Sequence, residues 1–123
     1  MDVWWTRHKA LAARYEAPVD AALAAGFISD RLGWAFASGY RAALQSLLPS
    51  LPADKVIALA VTEAEGGHPR AIQTTLTRAG DTIALSGHKS HITLGQHADA
   101  ILVLARSGEV DGRPNLELVS VDK

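Results

Sequence analysis

The chain has 123 residues, of which 48% are hydrophobic, with 12 Lys and Arg against 13 Asp and Glu and no cysteine. This size suits one ordinary globular domain, and the balanced charge argues against strong attraction to nucleic acid or to a membrane surface. The lack of cysteine excludes disulfides, thiolate metal sites and a cysteine nucleophile. The sequence shows no basic leader and no apolar run of about 20 residues. We therefore expect a cytoplasmic protein that contacts neither nucleic acid nor membrane.

Residues 1–48 are rich in alanine and predict three helices. The first covers residues 3–15 and ends before Pro18, because the residue before a proline is pushed out of the helical region. The second covers residues 19–25, and the third begins near Ser29 or Asp30, either of which can cap a helix. Apolar residues at three- and four-residue spacing predict a buried stripe on the third helix. The stripe consists of Leu32, Phe36, Tyr40, Ala43, Leu44, Leu47 and Leu48.

After Pro49 and Pro52 the periodicity changes from that of helices to that of strands. Gly80-Asp81 and residues 111–114 predict reversals between strands. Because helices and strands form separate blocks, the pattern predicts an α+β fold. N-terminal helices in residues 1–52 would precede an antiparallel, barrel-like β domain in residues 53–123. The predicted strands cover residues 56–62, 73–78, 82–86, 90–94, 100–105 and 116–121.

Two segments carry the most specific motifs. Residues 58–69 run from an apolar strand through Thr62-Glu63 into Gly66-Gly67, where the missing side chains let a ligand approach the backbone. Residues 86–95 read as a second strand, closed by Thr93 and a glycine. We therefore expect two sheet edges of similar chemistry to converge on one site for a flat cofactor.

The order of these motifs resembles the middle domain of the acyl-CoA dehydrogenases over residues 58–122. The family's Thr-Glu-Pro-x-x-Gly-Ser-Asp, Gly-Asp, Asn-Gly-x-Lys-x-Trp-Ile-Thr and Ala-Asp motifs correspond to residues 62–69, 80–81, 86–93 and 98–99. The chain departs from them at several positions. In the first motif, Ala64, His68 and Pro69 replace the family proline, serine and aspartate. In the third, His91 replaces the tryptophan, and Leu94 replaces the asparagine that follows the last threonine in the family.

The resemblance implies an FAD-dependent oxidoreductase of fatty acid metabolism that dehydrogenates an acyl-CoA thioester at its α,β carbons. Backbone groups and hydroxyls at Val61, Thr62 and Thr93 would face the polar edge of the flavin, and His91 would stack on it in place of the family tryptophan. The implied cofactor contacts are Val61, Thr62, Gly67, His91, Ile92 and Thr93. The implied substrate contact is His68.

In the family, a C-terminal helical bundle supplies the catalytic glutamate. We expect no catalytic residue in these 123 residues, and activity only in a homo-oligomer or with a completing partner subunit. The alternative is a non-catalytic binding or interaction module that kept the β scaffold and lost the flavin. Its sheet edges would then pair with a partner.

Other polar and aromatic residues have simpler interpretations. His88 and His91 lie three apart on a predicted strand and would face opposite sides, so no metal site is expected. Glu63 is expected to brace a turn, and Lys89 to be a solvated lysine. Aromatic residues of the helices are expected to form helix–helix contacts. These are Trp4, Trp5, Trp34, Phe36 and Tyr40.

Overall fold

The computed structural model describes residues 2–123. The chain divides into two compact units, Met1–Lys55 and Val56–Lys123. The first unit is helical and the second contains the strands.

The helical unit contains the three predicted helices, α1 (Asp2–Ala12), α2 (Pro18–Phe27) and α3 (Leu32–Leu47). Pro18 is the first residue of α2, a position where the missing N–H needs no partner. The expected cap of α3 is wrong. Helix α3 begins after Arg31 without a side-chain cap. The Ser29 hydroxyl instead donates to the Ala25 carbonyl of α2 at 2.7 Å, and the Asp30 carboxylate lies 3.9 Å from Arg31 Nε.

The predicted apolar stripe on α3 is largely exposed. Leu32, Phe36 and Leu47 are 87%, 61% and 66% exposed, while the buried face consists of Ala37, Ser38, Arg41, Ala42 and Leu44. Helix α2 packs on α3 through alanines, of which Ala21 and Ala25 are buried. Small residues let two helix backbones approach closely, which favours burial of Ala37, Ser38 and Ala42 over burial of the larger Leu32 and Phe36. Trp4 of α1 stacks on Trp34 of α3 with ring centroids 5.0 Å apart, as expected of a helix–helix contact.

The second unit confirms the α+β class, but its sheet is mixed rather than antiparallel and stays open over the described residues. Strand β4 pairs in parallel with β1 and with β2, and antiparallel with β5, while β2 and β3 form an antiparallel hairpin. Strands that are neighbours in sequence can join through tight turns, whereas β1 and β4 are separated by a long connection that permits parallel pairing. The strands are β1 (Ile57–Ala60), β2 (Thr75–Ala79), β3 (Thr82–Ser86), β4 (Ala100–Val110) and β5 (Arg113–Asp122).

Both predicted reversals are confirmed. Gly80, with φ of 60°, joins β2 to β3, and Asp111 and Gly112, with φ of 50° and 71°, join β4 to β5. Two successive residues with positive φ match the twist of an antiparallel hairpin.

The predicted strand over residues 90–94 is wrong. Residues 87–92 have no regular structure, and a short 3-10 helix follows at Gly95–His97. His91 and Leu94 have φ of 54° and 61°, which turns the chain out of the extended conformation despite the β-branched residues between them.

Asp99 fixes the start of the parallel pair. Its carboxylate accepts from Val56 N at 2.7 Å, and its own N–H donates to Val56 O at 2.8 Å. This double contact holds the beginning of β4 beside the beginning of β1. The register that follows, Ile57 opposite Ala100, places the end of β1 in the candidate site.

Candidate functional site

The two motif segments converge immediately beyond the end of β1. Ser90 N donates to Thr62 O at 2.8 Å, and Lys89 Nζ donates to Val61 O at 3.1 Å. The expected convergence is therefore confirmed, although the second segment reaches Thr62 as a loop and not as a strand.

A buried ion pair joins the two segments. Lys89 Nζ lies 2.6 Å from Glu63 Oε1, and each side chain is only 7% exposed. The expectation that Lys89 is solvated is wrong, because its ammonium replaces water with a carboxylate and a backbone carbonyl. A charge can be buried in this way only when its partners are close and well directed.

The Glu63 carboxylate accepts further hydrogen bonds from the start of β2. Its Oε2 accepts from Gln73 N at 2.7 Å, and its Oε1 accepts from Thr74 N at 3.0 Å and from the Thr74 hydroxyl at 2.6 Å. Burial opposes ionisation, but the hydrogen bonds from Lys89, Thr74 and Gln73 outweigh it and lower the pKa of Glu63 from 4.5 to about 2. Glu63 is thus a fixed anion that braces this part of the chain, as expected, and a poor base.

The glycine turn after Glu63 is closed by backbone hydrogen bonds. Glu63 N donates to Gly66 O at 3.1 Å and Gly66 N donates to Glu63 O at 3.0 Å, with Gly66 at φ of 100°. A Cβ placed on Gly67 would lie 3.7 Å from Val61 Cγ1 and Thr62 Oγ1, which is ordinary contact. The turn therefore requires glycine at Gly66, while Gly67 has room beside it.

Thr62 and Thr93 are half-buried, and within residues 2–123 neither hydroxyl has a hydrogen-bond partner. The carbonyls of Val61 and Thr62 are already engaged by Lys89 and Ser90. The hydroxyls of Thr62 and Thr93 are therefore free to bind a ligand. Ile92 packs against Gly95, where an added Cβ would lie 3.0 Å from Ile92 Cγ2.

The two histidines of the site lie at its surface. His68 is exposed, and its Nδ1 accepts from Arg70 N at 3.2 Å, which caps the 3-10 helix Pro69–Ala71. His91 is exposed with Nδ1 3.2 Å from the Ser90 hydroxyl. No hydrogen bond within the described chain links either ring to Thr62 or Thr93. The structure thus brings together Val61, Thr62 and Gly67 with the loop that leads to His91, Ile92 and Thr93.

Sequence reasoning missed three residues that build the site. Gln73 and Thr74 bind the Glu63 carboxylate, and Gly87 packs against Thr74, where an added Cβ would lie 2.6 Å from Thr74 Cα. In the sequence, the opposite charges of Glu63 and Lys89 in two converging segments could have predicted their ion pair.

Other kinds of site find no support in residues 2–123. No three His, Cys, Asp or Glu side chains of this range are grouped so that they could hold a metal ion. None of its helices has the length and apolar character needed to cross a membrane.

Comparison with known proteins gives one family. The family model described as the acyl-CoA dehydrogenase middle domain matches residues 58–123.

A crystal structure from Mycobacterium smegmatis, provisionally assigned as an acyl-CoA dehydrogenase, is 29% identical with a TM-score of 0.52, over 86% of this chain and 28% of that one. One from Mycobacterium abscessus, assigned in the same provisional way, is 28% identical with a TM-score of 0.51, over 94% of this chain and 31% of that one. The chain thus spans about three tenths of the length of these two structures. A search among curated proteins gave no match.

Proposed function

This chain belongs to the acyl-CoA dehydrogenase family through its middle domain, and from that membership we propose that residues 58–95 bind the flavin of FAD beside an acyl-CoA thioester. One observation carries the proposal. The hydroxyls of Thr62 and Thr93 lie on two converging segments without a partner among the described residues, and a buried ion pair holds these segments together.

The hydroxyls of Thr62 and Thr93 suit the polar edge of an isoalloxazine ring, because that edge presents several hydrogen-bond acceptors. Hydroxyl groups can donate to such acceptors, and a rigid supporting shell keeps them in place. That shell is present here, because Glu63 is bound by Lys89, Gln73 and Thr74 at once.

FAD, when bound, supplies the hydride acceptor for dehydrogenation of the thioester. Thr62 and Thr93 would donate hydrogen bonds to the ring, and His91 and Ile92 would pack on it. Val61 would contribute backbone contacts at the end of β1. The open space at Gly67 would admit the cofactor or the thioester chain, and the exposed His68 ring would contact substrate.

None of these residues is proposed as the catalytic base. Glu63 is a buried carboxylate of this site, but its pKa is lowered to about 2 and its oxygens are occupied by four donors. A base with so low a pKa accepts protons poorly at neutral pH. We place the whole activity in an assembly, either a homo-oligomer or a complex with a partner subunit that provides the base, in the cytoplasm and within fatty acid metabolism.

Titration of FAD into the purified chain tests the binding role. The flavin absorbance should shift and its fluorescence should be quenched in a saturable way. Thr62→Val and Thr93→Val should each weaken binding about threefold to tenfold, the usual effect of one lost hydrogen bond. Thr77→Val, at an exposed position of β2, is the matched control and should bind as the unchanged chain does.

Two results would contradict this proposal. One is the absence of saturable FAD binding, and the other is equal affinity in all three valine variants. A colourless chain that self-associates tightly would instead support the alternative function, a non-catalytic interaction module.

A further inference from the structure

A cleft of about 250 Å³ opens among the three helices of the first unit. Much of its lining is small and apolar, and includes Ala12, Pro18, Ala21, Ala42 and Ala53. The charged side chains at the cleft are those of Lys9, Glu16 and Arg41. Such a surface suits an apolar group that carries a single polar end.

Arg41 is a buried cation without a counterion. The residue is 5% exposed, its Nη2 donates to Pro52 O at 2.6 Å, and its Nη1 is buried with no hydrogen-bond partner. No carboxylate within residues 2–123 forms an ion pair with it. Burial lowers the pKa of Arg41, as expected when the charged form is desolvated. Guanidinium groups in proteins normally meet carboxylate or phosphate in this situation.

The neighbouring His8 is not a counterion for Arg41. Its ring is 6% exposed, and its Nδ1 lies 3.2 Å from the Ser38 hydroxyl. Burial, and then the charge of Arg41, lower the pKa of His8, so the ring is neutral at pH 7. Arg41 therefore keeps one buried donor without a partner among the described residues, and an anion would supply that partner.

We propose that this cleft binds a small aliphatic monocarboxylate, with its carboxylate paired to Arg41 and its chain on the alanine and proline surface. An apolar cavity of about 150 Å³ holds benzene, so a volume of about 250 Å³ is sufficient for a six-carbon acid. Glu16 disfavours a more highly charged anion, and the Lys9 ammonium lies over the Trp5 ring, 5.6 Å from its centroid. All residues that line this cleft lie in the first unit, so the site shares none with the flavin and thioester site proposed for residues 58–95.

Calorimetric titration of the full chain with hexanoate tests the proposal. The probes for comparison are 1-hexanol, which keeps the chain and lacks the charge, and inorganic phosphate, which keeps the charge and lacks the chain. Hexanoate should bind saturably and at least about tenfold more tightly than either, because one charged hydrogen-bonded contact is worth about a factor of ten or more.

Two variants separate the head group from the apolar surface. Arg41→Gln should weaken hexanoate binding at least about tenfold, with circular dichroism to check that the helices remain. Ala12→Leu fills the cleft and leaves Arg41 in place, so it should abolish hexanoate binding even if Arg41→Gln does not fold. Arg31→Gln is the matched control, because Arg31 pairs only with Asp30 at the surface.

The proposal is overturned if hexanoate does not saturate, if hexanol or phosphate binds equally well, or if Ala12→Leu binds as the unchanged chain does. Because FAD binding is measured on another set of residues, failure here leaves the flavin proposal intact, and the reverse also holds.

Discussion

Lys89 Nζ lies 2.6 Å from Glu63 Oε1 with both side chains 7% exposed, so a buried ion pair connects residues that are 26 positions apart. A buried pair of this kind adds little net stability compared with apolar residues, but removing one partner leaves an uncompensated charge. The ion pair instead fixes the geometry of the site, because it holds the end of β1 against the loop that leads to Thr93.

Glu63→Gln should lower the free energy of unfolding by about 3–5 kcal/mol, because Lys89 would remain buried without an anion. Denaturant unfolding at pH 7 measures the change. The control is Glu109→Gln, which removes the carboxylate of an exposed pair with Arg106 and should cost less than about 1 kcal/mol. Equal costs for the two variants would show that the buried pair has no special role.

The same pair should make stability depend on pH. The pKa of Glu63 is lowered from 4.5 to about 2 by folding, so in this window the unfolded chain binds more protons than the folded one. The contribution is fully present above pH 4.5 and is lost as the pH falls through about 2. The stability difference between the unchanged chain and Glu63→Gln should therefore stay constant down to about pH 4.5 and shrink below it. A difference that stays constant between pH 7 and pH 3 would rule out this linkage.

The β unit was predictable wherever local chemistry decides the structure. Gly80-Asp81 and Asp111-Gly112 are turn residues next to the strands that they join, and both hairpins form as expected. The parallel pairing of β1 with β4 and the contact between Glu63 and Lys89 depend on partners distant in sequence. No local pattern reports the direction in which such partners meet.

The helical unit shows a different limit. The spacing of Leu32, Phe36 and Leu47 predicted a buried stripe, yet the structure buries Ser38 and Arg41 with the alanines. Periodicity marks an apolar face but not the neighbour that covers it. In this unit α2 is rich in alanine and packs on the small residues of α3. The positions of the small side chains along α3 could therefore have predicted which face is buried.

Gly87→Ala should destabilise the chain by about 1–3 kcal/mol through overpacking. The added methyl group would lie 2.6 Å from Thr74 Cα, and Thr74 cannot move without breaking its hydrogen bonds to Glu63. Gly108→Ala is the control, because nothing lies within 4 Å of an added Cβ there. Denaturant unfolding at pH 7 measures the free energy of unfolding of both variants. If Gly87→Ala is as stable as Gly108→Ala, the close contact between Gly87 and Thr74 is contradicted.

Leu94 occupies a left-handed conformation, with φ of 61° and ψ of 7°, at the position where the family motif has asparagine. Asparagine tolerates this region because its short polar side chain can hydrogen-bond locally, whereas leucine meets a steric penalty of about 1–2 kcal/mol. Substitution by alanine removes the leucine contacts and keeps the penalty, so Leu94→Ala is the matched reference for Leu94→Asn. We expect Leu94→Asn to be more stable than Leu94→Ala by about 1 kcal/mol, measured by denaturant unfolding. If alanine is equal or better, the backbone at Leu94 is not strained in solution, and the loop that carries Thr93 adopts another conformation there.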